Sequence, residues 1–223
     1  HIVPNSRNLP AEFSEQRYPV MVEKLGLATD SGGAGYRRGG FGYDKHIRLL
    51  DGARLLSNAD RTLLNTYGVN GGKAGKTYGV EVDHAAGETA AIPGMADNIE
   101  VEAGSVVRLV TTGGGGWGDP LDREVEMVCY DVECGLVSNA SARDDYGVVL
   151  TESDAGYTVD QQGTQVLRAK LKSERGTLPM FDRGDYFHAV NASNGINRPE
   201  GWTDPDEGWD AVARPGDDEA AAV

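Results

Sequence analysis

The chain has 223 residues, enough for one large domain or one domain with a modest appendage, and 39% of them are hydrophobic. This composition excludes a disordered polymer. Because no apolar run approaches the roughly 20 residues of a bilayer-spanning helix, we expect no membrane contact. The net charge of −14 disfavours nucleic acid as a partner, since an acidic surface repels phosphodiester backbones. Glycine, with 31 residues, is about twice as frequent as the usual roughly 7% and predicts a loop-rich domain with tight turns.

The first half of the chain has the pattern of strands separated by glycine clusters. An extended lead-in is predicted over residues 1–15. Strands are predicted at 17–27, 43–50, 77–82 and 105–111. The glycine clusters lie at 32–42, 68–79 and 113–118.

The second half carries start and stop signals for three helices. An apolar stripe at positions 125, 128 and 132 indicates that the first of them is amphipathic. The predicted N-caps are Asp119, Ser138 and Asp160, and the predicted stops are Gly135, Gly147 and Gly176. Because Pro120 follows Asp119, we expect proline at the first helical position there.

Strands followed by helices predict an α+β fold, since alternating strands and helices would be needed for a parallel sheet. We expect a β-rich glycine-loop region at 1–120 and a helical region packed on it at 121–177. Short C-terminal helices then give way to an irregular acidic tail that wraps the surface at 178–223. Cys129 and Cys134 lie five residues apart in one predicted helix and its end, a poor geometry for a disulfide, so we expect reduced thiols in a cytoplasmic protein.

Each glycine cluster has a functional and a structural interpretation. Residues 71–77, GGKAGKT, end like a phosphate-binding loop but have three residues where that loop needs four, which favours a simple connection. The cluster at 32–42 lacks the third glycine of a dinucleotide fingerprint. Together with Asp30, Arg37 and Arg38 this cluster could bind an anion or a neighbouring chain. The alternative, which we favour, is that the loop is purely structural. Gly113–Gly116 form either an anion-binding nest or, as we favour, a close packing contact.

The histidines are scattered without the spacing of metal ligands, so no metal site is predicted in this chain. The sequence has no nucleophile elbow, and neither cysteine lies in a nucleophile motif. We therefore assign no catalytic residue from the residues themselves.

Five segments together resemble the hydantoinase B/oxoprolinase family. Residues 8–20, 30–42, 113–123, 131–138 and 145–150 read NLPAEFSEQRYPV, DSGGAGYRRGGFG, GGGGWGDPLDR, DVECGLVS and DYGVVL. In that family these segments look like the C-terminal part of a longer subunit. The resemblance and the start at His1, which is not the product of ordinary methionine removal, imply a part of something larger.

The resemblance implies a subunit of an ATP-dependent complex that hydrolyses cyclic amides such as hydantoins, 5-oxoproline or lactams. It leaves open an ATP-dependent ketone carboxylase of the acetone or acetophenone type, and a non-catalytic scaffold domain is a further alternative. The implied partners are a hydantoinase A-type ATP-binding subunit, the N-terminal half of the hydantoinase B-type subunit and a small-molecule substrate. ATP and a divalent metal are expected on other chains of the complex. The matched positions supply candidate interface or anion-binding residues, which are Glu12, Glu15, Asp30, Arg38, Gly113, Gly114, Gly115, Gly116 and Asp119.

Overall fold

The computed structural model describes residues 8–154 and 156–192. The chain divides into two compact units, each built from separated segments. Unit 1 comprises the chain up to Gly26, Tyr43–Thr62 and Tyr78–Thr111, and unit 2 comprises Leu27–Gly42, Leu63–Thr77 and the chain from Thr112 onward. The three-part linear division at residues 120 and 177 stays a prediction.

Along the described residues the chain forms short helices and mostly antiparallel strands. In order they are α1 (Ala11–Arg17), β1 (Val20–Leu27), β2 (Tyr43–Leu49), β3 (Ala53–Asn58), β4 (Gly68–Val69), β5 (Gly79–Asp83), β6 (Thr89–Ile92), β7 (Met95–Val101), β8 (Val106–Val110), a single 3₁₀ turn (Pro120–Asp122), α2 (Val125–Glu133), α3 (Asn139–Asp144), β9 (Leu150–Ser153), β10 (Gly156–Val159), α4 (Gln161–Glu174), β11 (Phe181–Asp182) and α5 (Asp185–Ala192). This arrangement confirms the α+β fold class.

Unit 1 contains a five-stranded sheet in the order β1-β2-β8-β5-β6 and a separate ribbon of β3 and β7. The central pairs are antiparallel, with Val107 of β8 opposite Ile47 on one side and Val82 on the other. Because side chains alternate between the faces of a strand, Val80, Val82 and Val107 point to one face. There they form one apolar cluster with Val101 of the ribbon.

Unit 2 has its core around α2 and α3. Val128 and Val132 of α2 pack with Ala142 of α3 and with Tyr146 and Val148, all of them buried. The β9–β10 hairpin lies against α2, with Leu150 in the same cluster. The two short strands β4 and β11 of this unit pair with each other in an antiparallel arrangement.

The predicted helix signals form as expected at α3 and α4. The Ser138 hydroxyl accepts the N–H of Ser141, and the Asp160 carboxylate accepts the N–H of Gly163. Each satisfies one of the unpaired donors at a helix start. The predicted stops at Gly135, Gly147 and Gly176 all have left-handed φ values, of +69°, +63° and +67°.

Two sequence-based expectations were wrong in detail. The predicted extended lead-in contains α1, which begins after Pro10 and places Glu12 in its first turn and Arg17 in its last, the charges that a helix dipole favours. Asp119 caps only a single 3₁₀ turn, because Arg123 returns to an extended conformation and α2 starts afresh at Val125.

The region assigned to an irregular tail begins with regular structure, namely β11 and α5, and residues 193–223 lie outside the described part of the chain. Cys129 and Cys134 are free thiols, as predicted. No helix among the described residues is long and apolar enough to cross a bilayer.

Candidate functional site

The glycine-rich segments of unit 2 are joined by backbone hydrogen bonds into a structure that we call the glycine web. It consists of residues 31–40, 66–76 and 112–118. The N–H of Gly33 donates to the carbonyl of Gly114 (2.8 Å), the N–H of Lys73 to Ala34 (2.7 Å), and the N–H of Gly116 to Lys73 (2.9 Å). All three segments are therefore bonded to one another.

Close approach of these backbones explains why the residues are glycines. A Cβ on Gly113 would lie 1.7 Å from the carbonyl oxygen of Ser31, and one on Gly115 would lie 1.8 Å from that of Tyr67. At Gly40, in contrast, such a Cβ has no atom within 4 Å among the described residues beyond its chain neighbours. The contacts of Gly113 and Gly115 agree with the packing interpretation of this cluster.

The backbone donors of the third segment are already used within the web. The N–H groups of Gly113, Gly114 and Gly116 donate to carbonyls of Lys76, Gly40 and Lys73, at 3.2, 2.8 and 2.9 Å. An anion-binding nest needs such N–H groups to point at the ligand. These three point at carbonyl oxygens instead.

In the segment that resembles a phosphate-binding loop, residues 71–77, backbone N–H groups are likewise bonded to carbonyls of the web. The N–H groups of Gly72, Gly75 and Lys76 donate to carbonyls of Val69, Thr66 and Ser31, respectively. The strand β5 follows the segment, as the sequence predicts, whereas a phosphate-binding loop opens a helix. Its residues therefore do not fit a nucleotide phosphate.

Arg38, at the end of the first web segment, belongs to a buried ionic cluster. Its guanidinium donates to both oxygens of Asp131 on α2, from Nε at 2.9 Å and from Nη2 at 3.1 Å. Arg123 donates to the same carboxylate at 2.9 Å. The side chain of Asp131 is only 2% exposed, so two arginines compensate one buried carboxylate. This cluster joins the glycine web to α2.

Asp30 connects the web to the loop that follows α2. It has a left-handed φ of +57°, and its carboxylate accepts the N–H of Ser138 at 2.7 Å. Its own N–H donates to the carbonyl of Leu136 at 3.0 Å. Asp30 is therefore a positioning residue for the start of α3.

Asp119 links the end of the web to the end of α4. It accepts the N–H of Leu121 at 2.8 Å and forms an ion pair with Arg175, the C-cap of α4. Burial alone would raise the pKa of Asp119, but the hydrogen bonds from Arg175 and Leu121 outweigh it and lower the pKa. The carboxylate therefore stays charged and holds the two segments together.

A cleft of about 350 Å³ lies between this junction and the web, a volume within the usual range for small-molecule sites. Leu121 and Leu171 contribute apolar walls, and Lys73 and Arg175 contribute positive charge. Lys73 forms an ion pair with Asp145, and both side chains remain partly accessible. The cleft offers a charged donor and a carboxylate to a small polar molecule.

Glu12 and Glu15 lie in unit 1, on α1. Glu12 is exposed, and the carboxylate of Glu15 accepts the N–H of Val22 at 2.9 Å. Val22 lies on β1, an edge strand, so Glu15 satisfies one donor that an edge strand would otherwise leave open. The other candidate residues, Asp30, Arg38, Gly113–Gly116 and Asp119, all belong to unit 2.

Comparison with known proteins assigns the chain to a family. The family described as hydantoinase B/oxoprolinase matches residues 1–120, more than half of the chain. The chain belongs to the hydantoinase B/oxoprolinase family. This confirms the resemblance carried by the five segments.

Two relatives illustrate the range of this hydantoinase B/oxoprolinase family. The chain is 35% identical to the beta subunit of caprolactamase from Pseudomonas jessenii, over 71% of this chain and 27% of the relative. It is 31% identical to the B-type subunit of a putative D-/L-hydantoinase from Pseudomonas sp. strain NS671, over 74% of this chain and 27% of the relative. The chain therefore spans only about a quarter of the length of these family members.

Solved structures of two ATP-dependent enzymes have a similar fold. The crystal structure of the ATP-dependent caprolactamase from Pseudomonas jessenii matches with a TM-score of 0.55 and 30% identity, over 72% of this chain and 28% of that one. The nucleotide-free structure of acetone carboxylase matches with a TM-score of 0.58 and 20% identity, over 86% of this chain and 29% of that one. The second likeness concerns the fold alone.

The sequence does not identify Asp131, Lys73 and Arg175, although each forms an ion pair between distant segments. Asp131 carried a signal, because it is an acidic residue directly beside the apolar stripe of α2. A buried carboxylate there requires a cation, and Arg38 and Arg123 supply it. Lys73 and Arg175 carried no comparable signal, since their partners are 72 and 56 residues away. Within the described ranges, no group of three or more His, Cys, Asp or Glu side chains is arranged to hold a metal ion.

Proposed function

We propose that this chain forms the C-terminal part of a hydantoinase B-type subunit in an ATP-dependent complex that hydrolyses cyclic amides. The substrate class comprises hydantoins, 5-oxoproline and lactams. The observation that carries the proposal is the double likeness to caprolactamase, in sequence at 35% identity and in structure at 30% identity, over about 70% of this chain. A lactamase relative favours a substrate with an endocyclic amide bond.

ATP supplies the activation that an unreactive amide needs, since phosphorylation makes its carbonyl carbon a better electrophile. We place the nucleotide on a hydantoinase A-type partner subunit and the divalent metal on other parts of the complex. The bonding of residues 71–77 supports this placement, because their N–H groups are used within the glycine web. The cytoplasm is the predicted compartment, since this is where ATP is abundant.

The contribution of this chain is architectural in the first place. The glycine web fixes three segments, and the ionic cluster of Asp131 and the pair of Asp119 with Arg175 tie that web to the helices. The cleft beside Lys73 then has rigid walls on the web side. We infer that these elements present a preformed surface to the N-terminal part of the subunit and to the substrate.

The experiment is an ATP-turnover assay on the complex isolated from the native host through a tag on this chain. ADP formation is measured with caprolactam, a hydantoin or 5-oxoproline, and separately with acetone plus bicarbonate. The expected result is ADP formation that depends on a cyclic amide and yields its ring-opened product. Turnover with ketone and bicarbonate alone would replace the hydrolase by the carboxylase, and an assembled complex without turnover on any of them would favour the scaffold alternative.

A further inference from the structure

A second cleft in unit 2 is lined by three arginines, and we call it the arginine cleft. It has a volume of about 330 Å³ and is lined by Tyr36, Arg37, Arg38, Arg123, Glu124 and Met127. A concentration of guanidinium groups stands out in a chain with a net charge of −14. The arginine cleft shares no lining residue with the cleft beside Lys73.

The backbone of Arg37 and the guanidinium groups of Arg38 and Arg123 are held in place by their neighbours. Arg37 and Trp117 exchange two backbone hydrogen bonds, both of 2.9 Å. Arg123 donates from Nη1 to the carbonyl of Tyr36 at 3.1 Å. The guanidinium of Arg38 lies 4.4 Å from the centre of the Phe41 ring, which supports it from one side. The guanidinium groups of Arg38 and Arg123 are therefore positioned before any ligand arrives, and the backbone that carries Arg37 is fixed beside them.

Positive charge exceeds negative charge at this cleft. Asp131 is the carboxylate shared by Arg38 and Arg123, so these three side chains together keep one net positive charge. Arg37 is exposed, lies beside the Tyr36 ring at 5.7 Å, and has no acidic partner among the described residues. Glu124 on the rim is exposed to solvent and offsets only one of the two remaining charges.

Hydrogen-bond donors also exceed acceptors around Arg123. Its side chain is 8% exposed, and its Nε is buried without a hydrogen-bond partner within the described part of the chain. Buried donors are nearly always paired, and leaving one unpaired is unfavourable. Because this Nε is inaccessible to solvent, it is not a donor for a ligand in the cleft. The unbalanced positive charge of the cleft is what one additional oxyanion would neutralise.

We propose that the arginine cleft binds a compact oxyanion, a carboxylate or a phosphate group, with Arg37 as its main exposed donor. A planar guanidinium can give two parallel N–H donors to two oxygens of either group. The inference goes beyond the proposed function, because it rests on the cleft alone and holds whatever reaction the complex catalyses.

The test is a titration of the ¹⁵N-labelled chain with sodium phosphate and, separately, with sodium acetate. Chloride is adjusted to keep the ionic strength constant, and the arginine Nε–H signals and backbone amides are followed. We expect saturable shifts that involve residues 36–38 and 123. The variant Arg37→Gln should weaken binding about tenfold or more, since a charged donor is lost. The matched control is Arg54→Gln, which removes an exposed arginine of β3 in unit 1.

Each outcome decides the proposal. Saturable binding that Arg37→Gln weakens and Arg54→Gln leaves unchanged supports it, and the probe that binds more tightly identifies the phosphate or the carboxylate source. No saturable shift with either probe would overturn it, as would equal affinities in the two variants. Thermal melting of Arg37→Gln should match the wild type because this side chain is exposed, which separates lost binding from lost folding.

Discussion

The glycine web makes a strong prediction for the substitution Gly115→Ala. The new Cβ would lie 1.8 Å from the carbonyl oxygen of Tyr67, whereas contacts under 3.0 Å essentially never occur. The Tyr67–Gly68 peptide would have to move by about 1.2 Å. It has no space to do so, because Gly68 is itself so close to Gly72 that a Cβ there would lie 2.1 Å from the Gly72 carbonyl oxygen.

Overpacking of a tight interior typically costs about 1–3 kcal/mol, and more where backbone must shift. We therefore expect Gly115→Ala to lower the free energy of unfolding by about 3 kcal/mol or more, out of the roughly 5–15 kcal/mol of a typical domain. For a chain of this length that corresponds to a fall in Tm of roughly 6–12 °C. Urea denaturation followed by circular dichroism measures the change directly.

The matched control is Gly40→Ala, in the same web, where the described structure leaves the new Cβ without a neighbour within 4 Å beyond the adjacent residues. We expect a change within about 0.5 kcal/mol of the wild type, or a slight stabilisation from reduced freedom of the unfolded chain. Equal stability of the Gly115→Ala and Gly40→Ala variants would refute the close-packing explanation of the web.

Three further predictions follow from the charged and buried groups. Asp131→Ala leaves two arginines without their shared carboxylate and should lower the free energy of unfolding by about 3–5 kcal/mol in urea denaturation; a change under 1 kcal/mol would contradict the cluster's role. Burial would raise the pKa of Asp44, but hydrogen bonds from Arg108 and Lys24 lower it well below the usual range. The stability that this carboxylate contributes should therefore be complete above about pH 4 and be lost as the pH falls further, so the difference in unfolding free energy between wild type and Asp44→Asn should shrink over that range. Burial raises the pKa of Tyr146 to about 12, so Tyr146→Phe should remove only the late part of the phenolate absorbance titration; loss of a group that titrates near pH 10 would contradict this.

Local signals were sufficient to predict much of the helical part of the fold. Ser138 and Asp160 cap helices as expected, because a capping side chain interacts with N–H groups two or three residues away. The stops at Gly135 and Gly176 are equally local, since each depends on the left-handed conformation of a single residue. The strands β2, β5 and β8 also follow from alternation within a few residues.

The glycine web was beyond sequence reasoning, although its glycines were noticed. Its geometry depends on which of three distant segments meet and in what register, and glycine has no side chain to indicate a partner. Strands β3 and β7 were missed for a related reason. In the described part of the chain they pair only with each other, across a register shift between Leu55 and Ser57. Many of their side chains are exposed, so their apolar alternation is weak.

In the candidate site, too, the sequence indicates individual residues but not their distant partners. Asp30, Arg38 and Asp119 lie in segments that resemble the family, and each connects parts of unit 2. Their partners Ser138, Asp131 and Arg175 are 108, 93 and 56 residues away, which no local pattern encodes. Their interpretation as interface or anion-binding residues stays a prediction.

Native mass spectrometry of the complex isolated from the native host through a tag on this chain shows directly whether the chain assembles with the subunits that the proposed function requires. We expect a large hetero-oligomer that contains an ATP-binding hydantoinase A-type subunit and the N-terminal part of the hydantoinase B-type subunit. A lone monomer without either partner would contradict it.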